Sequence, residues 1–186
     1  GFPQTDVIGS GRAIRYDAVD DYVDLGNIYD NLALPITISA WVYVGPSTQY
    51  ILPIFATQDN APLYNGFWFC LSQSSLFFEY GDGRGENSSA FRKGNTVPIS
   101  NFENRWINFS AVVKAGNDIQ LYMNGQDVGG SYSGDSDQPM ASNFPADVAK
   151  VGSYYTNGAH HRFKGMIDEI RIWNRALTAS ELRQMM

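Results

Sequence analysis

The chain has 186 residues and a net charge of −6, from 13 Lys plus Arg against 19 Asp plus Glu. That balance excludes a phosphate-gripping nucleic-acid face, which needs clustered cations, and it disfavours attraction to an anionic membrane. The length suits one domain, and 11 Tyr, 11 Phe and 4 Trp supply flat amphipathic rings fit for β packing and for sugar recognition.

The first residues, Gly-Phe-Pro-Gln-Thr-Asp, lack the basic and apolar regions of a signal peptide, so residues 1–186 read as a single domain excised from a larger exported protein. No run is long and apolar enough for a membrane span. The opening segment, residues 12–26, alternates like a strand and carries Asp17, Asp20, Asp21 and Asp24. Ile36, Ile38, Ala40, Val42 and Val44 then alternate with Thr37, Ser39, Trp41 and Tyr43 until Gly45-Pro46. Phe67 to Leu71 and Leu76 to Tyr80 are two more strands, the first holding Cys70, a lone cysteine read as a small buried hydrophobe.

Ile107, Phe109, Ala111 and Val113 form one face of a further strand, and Ile119, Leu121 and Met123 continue to Asn124-Gly125, a strong hairpin signal. Residues 81–105 and 126–149, rich in Gly, Ser, Asn, Asp and Pro, read as long loops, as does Ser153 to Arg162 after a short strand at Lys150-Val-Gly. Phe163 to Trp173 is the last long strand, and Thr178-Ala-Ser-Glu181 is a capping box opening a short helix. The expected fold is all-β, a two-sheet antiparallel sandwich with a short C-terminal helix.

Strict alternation in the last strand puts Met166, Asp168, Ile170 and Ile172 on one face. A carboxylate in an apolar layer needs a cation or donors. Two partners suit Asp168: a Ca²⁺ shared with the aspartate-rich opening, or an arginine such as Arg12, Arg15 or Arg171. A patch of Asp side chains without His or Cys suits a hard cation and argues against zinc. Asp21 and Asp24 read as solvated or turn residues.

Six ordered blocks across residues 13–186 resemble the laminin-G-like jelly roll of the concanavalin A-like lectin/glucanase superfamily. They are Ala13 to Val23, Ile36 to Val42, Trp106 to Val113, Ile119 to Gly125, Val151-Gly-Ser and Phe163 to Leu177. The resemblance implies two face-to-face antiparallel sheets, one of them concave, with the first and last strands adjacent. It also implies a structural Ca²⁺ where those strands meet, with Asp168, Asp20 and Asp17 as the carried-over ligands. The family commonly has a glycine where this chain has Ala18.

Members of that superfamily bind, adhere or catalyse, so catalysis has to be tested against the residues. The glucanase pattern Glu-x-Asp-x-x-Glu is absent, and the pair Asp168-Glu169 points to opposite faces of a strand, whereas a retaining glycosidase needs two carboxylates about 5 Å apart. No Gly-x-Ser-x-Gly elbow is present. Tyr154, Tyr155, His160 and Arg162 have the residue types of a lyase but lie together in one segment without further support. The chain is therefore not expected to be an enzyme.

Sugar recognition needs flat rings and a few polar groups. The segment Ser153 to Arg162 offers Tyr154, Tyr155, Asn157 and His160, and Trp68, opposite Phe67 and Phe69 in its strand, offers a platform, with Tyr80 and Asp82 close by. Trp41, Trp106 and Trp173 lie in strand blocks and read as structural, and the sequons at Asn87 and Asn108 read as incidental. The expected function is a Ca²⁺-stabilised, non-catalytic carbohydrate-binding module, secreted or at the surface of a bacterial cell, that targets linked domains of its parent protein to polysaccharide. The alternatives are a protein-interaction or adhesion domain and, third, a lyase or glycosidase of the same fold.

Overall fold

Alternation along Ile36–Val44 sends five apolar side chains to the interior, and all five are fully buried. In a computed structural model that describes residues 12–29, 31–57, 63–85, 88–142, 148–156 and 159–186, that strand lies in the middle of a six-stranded antiparallel sheet. The sheet order is β1 (Ile14–Asp17), β15 (Lys164–Trp173), β3 (Ile36–Val44), β8 (Trp106–Ala115), β9 (Asp118–Met123) and β10 (Gln126–Gly129). The first and last strands are neighbours, paired from Ile14 with Ile167 to Asp17 with Lys164. Asn124 and Gly125 both take positive φ, as a tight hairpin between β9 and β10 requires.

A seven-stranded sheet packs against the first, in the order β11 (Ser131–Ser133), β7 (Arg92–Pro98), β6 (Ser75–Gly81), β5 (Phe67–Ser72), β4 (Ile51–Ala56), β12 (Lys150–Val151) and β2 (Val23–Asp24). Phe67, Phe69, Leu71, Leu76, Phe78 and Tyr80 face Ile38, Ala40, Val42, Phe109 and Leu121 in one continuous core. The two sheets give the jelly-roll sandwich that the alternation predicts. Two stretches expected as loops contain strands. Residues 81–105 hold β7 and residues 126–149 hold β10 and β11, because pairing of β7 with β6, β10 with β9 and β11 with β7 outweighs their poor intrinsic strand propensity.

The tail closes one outer face. The helix α1 (Ala179–Gln184) starts at Thr178 with the reciprocal capping box expected from Glu181. Bonds from Arg175 and from the Thr178 cap pull the Glu181 carboxyl down to about 2. Leu177 and Leu182 pack on Val112 and Tyr122, outside the six-stranded sheet. Thr37 ties the segment down: its Oγ1 donates to the Arg175 carbonyl (2.8 Å) and accepts from Leu177 N–H (3.0 Å). Asn108 is buried in a network with Ser39 and Ser110, so its sequon lies inside the fold, while Asn87 lies outside the described residues.

The last strand does not alternate strictly. Glu169 has φ of 51° and the pairing with β3 slips between Asp168 and Arg171, which is a β-bulge. Ile167 pairs with Val42 and reaches the core, and beyond the bulge Ile170 and Ile172 also pack against the core. The extra residue therefore switches faces. Asp168, opposite Trp41, shares its face with Met166 but not with Ile170 and Ile172, which corrects the expectation that it points into an apolar layer.

Candidate functional site

The outer face of the seven-stranded sheet carries a row across four strands: Trp68 on β5, Glu79 on β6, Gly94 on β7 and Ser133 on β11. Glu79 sits at its centre and is 9% exposed. Its carboxylate accepts from Trp68 Nε1–H (3.1 Å), from Ser133 Oγ–H (3.0 Å) and from the Arg92 guanidinium (3.4 Å). Arg92 also lies 5.8 Å from the centre of the Tyr64 ring, and its side chain keeps 37% of its surface exposed. The arrangement is a fixed acceptor beside a half-open cation, walled by two aromatic rings. A carboxylate and a guanidinium so placed can bond the hydroxyls of a polar ligand.

Gly94 makes room for Glu79. A Cβ there would come within 2.3 Å of Glu79 Cγ and 2.7 Å of the Phe78 carbonyl oxygen. Gly94→Ala is expected to displace Glu79 and cost about 1–3 kcal/mol. Urea unfolding measures this, and unchanged stability would mean that Glu79 does not lie across that strand.

Ser153 to Arg162, expected as a loop, is a two-stranded hairpin of β13 (Ser153–Thr156) and β14 (Ala159–Arg162). It packs over β4, beside β5. Tyr154 stacks on Trp68 with centroids 5.5 Å apart and planes at 15°, and His161, its partner across the hairpin, lies with its ring 6.0 Å away. Trp68 therefore points outward, as its alternation predicts, but Trp68 and Tyr154 are only 2% and 3% exposed. Tyr154 covers the Trp68 ring, so neither offers an open platform. The half-buried Tyr155 lies 4.7 Å from the ring of the exposed His160, on the hairpin face opposite Tyr154. Asn157 lies outside the described residues.

Burial, with the neighbouring His160 second, pushes the His161 imidazole below its ordinary value of 6.5. The folded state thus resists protonating it, and the unfolded state binds the extra proton first. Stability from this group is present above pH 6.5 and is lost as pH falls below that value. His161→Gln is expected to flatten the decline in stability as pH falls from about 6.5 to 5, read from melting curves. An unchanged slope would assign it to other groups.

Tyr80 and Asp82 do not join Trp68. Tyr80 faces the core, with its hydroxyl donating to the Gln138 carbonyl (3.3 Å). Asp82 binds Arg84 Nη2 (2.8 Å) and Ser136, and these bonds outweigh the opposing effect of burial and hold its carboxyl below the ordinary value. Residues that the sequence pattern passes over complete the site. Glu79 shares parity with Phe77, opposite Leu76 and Phe78, so alternation does place it outward. Arg92 and Ser133 lie in stretches that read as loops, and Tyr64 precedes its strand, so no local signal marks them.

At the start of the chain Asp17, Asp20 and Asp21 bring one carboxylate oxygen each to within 4.8 Å of one another. Ala18 has φ of 72°, so it takes the left-handed turn for which a glycine is the usual choice. That turn lets Asp17 Oδ1 accept from Val19 N–H (2.7 Å) and Asp21 Oδ2 accept from Asp17 N–H (3.0 Å). Asp168 is not in this group. Asp17 pairs with Lys164, four residues along β15 from Asp168, whose Oδ1 accepts from Glu169 N–H (2.8 Å). Arg171 pairs with Glu169 rather than with Asp168.

A laminin-G-type family profile described as the concanavalin A-like lectin/glucanases superfamily matches residues 17–183. No curated protein matches the chain in sequence. Its fold is similar to the CBM40 module of the Ruminococcus gnavus IT-sialidase bound to α2,3-sialyllactose, with 14% identity, TM-score 0.64, and 95% of this chain and 98% of that one covered. It is also similar to domain 4 of AbnA, a GH43 extracellular arabinanase from Geobacillus stearothermophilus, in complex with arabinotriose. There the identity is 19% and the TM-score 0.56, over 88% of this chain and 71% of that one. The binding domain of botulinum neurotoxin serotype G shares 14% identity and a TM-score of 0.53, over 95% of this chain and 46% of that one.

Proposed function

The chain belongs to the concanavalin A-like lectin/glucanases superfamily, and we propose that it is a non-catalytic carbohydrate-binding module that holds a linked enzyme or adhesin against glycan outside a bacterial cell. The observation that carries this reading is the Glu79 cluster: a buried carboxylate gripped by Trp68, Ser133 and Arg92 on an outer sheet face, with the Tyr64 ring beside Arg92. Two proteins of similar fold, the sialidase module bound to sialyllactose and the arabinanase domain in complex with arabinotriose, support it. Glycoside hydrolysis by paired acids would need a second carboxylate working with Glu79. Glu79 is already committed to three donors, which suits a fixed recognition group better than a proton shuttle. Weak binding of this kind acts through avidity, raising the local concentration of whatever is linked to the module.

A glycan array of the purified domain, run with Ca²⁺ and again with EDTA, tests the reading. Retention of one family of glycans supports it. Silence across the array contradicts it and favours a protein partner.

The oxygen-only group of Asp17, Asp20 and Asp21 fits a hard cation, and backbone carbonyls and water would complete the six to eight oxygens that Ca²⁺ takes. A Ca²⁺ held there would pin the turn beside the first strand and stabilise the fold by mass action. Ca²⁺ is expected to raise the melting temperature reversibly. Asp20→Ala should abolish that response, and Asp168→Ala should keep it. A response lost in Asp168→Ala and kept in Asp20→Ala would move the ion to the last strand.

A further inference from the structure

The opposite face of the sandwich holds a second polar-aromatic row. On the outside of the six-stranded sheet Arg15 pairs with Met166, Met166 with Tyr43, and Tyr43 with Trp106, so the four residues follow one another across β1, β15, β3 and β8. None of the four belongs to the core cluster, whose members alternate with them along each strand. The helical tail covers Val112 and Tyr122 further across the sheet, and the row belongs to neither that cluster nor the core. A groove of about 360 Å³ opens along its β1, β15 and β3 members, lined by Arg15, Tyr43 and Met166 with Lys164, Asn104 and Asp17. That volume is within the range of small-ligand sites.

The chemistry of the row is directional. Tyr43 and Trp106, with centroids 5.8 Å apart, make an aromatic end, and the Met166 thioether makes an apolar floor. Arg15 stands at the other end, two strand spacings or about 10 Å from Tyr43. Among the described residues Arg15 makes no ion pair, and it is exposed. Among the described residues Lys164 donates to the Asp17 carbonyl (3.0 Å), which uses one of its three N–H groups. In a chain of net charge −6, two cations line one groove beside a single carboxylate, Asp17, whose Oδ1 is taken up by Val19 N–H.

We infer that this groove is a second binding site, for an acidic saccharide of the uronic acid class. The sugar ring stacks on Tyr43 and its carboxylate meets Arg15 and Lys164. A bidentate guanidinium–carboxylate contact gives such a site its preference for acid over neutral sugar. The site is separate from the Glu79 cluster, since the two lie on the outer faces of different sheets. One module could then grip two chains, or two stretches of one chain.

Titration calorimetry with α-1,4-trigalacturonate and with neutral α-1,4-galactotriose tests this. The acid is expected to bind at least about tenfold more tightly than the neutral sugar, a difference of about 1.4 kcal/mol. Arg15→Gln and Tyr43→Ala should each remove that binding, and Arg15, being exposed, should do so without lowering the melting temperature. Arg92→Gln, which alters the other face, should leave trigalacturonate binding intact. The inference is overturned if trigalacturonate does not bind or binds no better than the neutral sugar. It is equally overturned if both groove variants bind as the wild type does, or if Arg92→Gln alone abolishes binding. Failure here leaves the Glu79 reading standing, because that reading is decided by glycans whose retention depends on Arg92.

Discussion

Phe78→Ala is expected to destabilise the domain by about 3–5 kcal/mol, and to lower its melting temperature by roughly 10 °C. Phe78 is fully buried, stacked on Phe67 with centroids 5.2 Å apart and planes at 21°, and tilted against Phe69 at 6.5 Å. It projects from the middle of β6, where no flexible loop can collapse into the space left behind. Removing the ring loses its transfer free energy and leaves a cavity between the two sheets, and both terms act in the same direction. Phe77, next to it, is only partly buried and packs in the outer-face cluster, so Phe77→Ala should cost clearly less. Urea unfolding measures both. A loss below about 1 kcal/mol at Phe78 would contradict the core described here.

Glu79→Ala is expected to cost about 1–3 kcal/mol and to abolish glycan retention together. The stability loss comes chiefly from Trp68, whose buried Nε1–H would keep no acceptor. The ion pair with Arg92 adds little, since that side chain is 37% exposed and water screens it. Ser133 can turn its hydroxyl towards solvent. Glu79→Gln keeps one acceptor oxygen and most of the shape, so it should recover most of the stability. Its loss of charge frees Arg92 and changes the recognition surface, so glycan binding should stay impaired. If Glu79→Ala matched the wild type in both assays, the row from Trp68 to Ser133 would have no part in recognition.

The strands that supply the core were legible because their alternation is clean. Ile36 to Val44, Ile107 to Val113 and Ile119 to Met123 are such strands, and the Asn124-Gly125 hairpin and the Thr178 capping box lie where local chemistry puts them. Other strands were hidden. β4 contains Pro53 at a register slip, and β7 contains Gly94, so pairing partners define them more than their own residues do. Asp168 shows the limit of counting by twos: one inserted residue at a bulge reverses every face beyond it. For the site, the outward direction of Trp68 was readable and its burial was not, because Tyr154 arrives from a hairpin 86 positions later by number (154 − 68) and covers it. Arg92 and Ser133 became site residues through the same long-range pairing, which leaves no mark on neighbouring positions.

The most direct test of carbohydrate binding at the seven-stranded sheet is an NMR titration of the ¹⁵N-labelled domain with the glycans most strongly retained on an array. The indole N–H of Trp68, assigned with Trp68→Phe, bonds to Glu79 and reports on that carboxylate. The account predicts that this resonance and those of Arg92 and Tyr64 shift together and saturate with one dissociation constant. No binding by any glycan, or shifts confined to residues away from β5, β6, β7 and the β13–β14 hairpin, would contradict it.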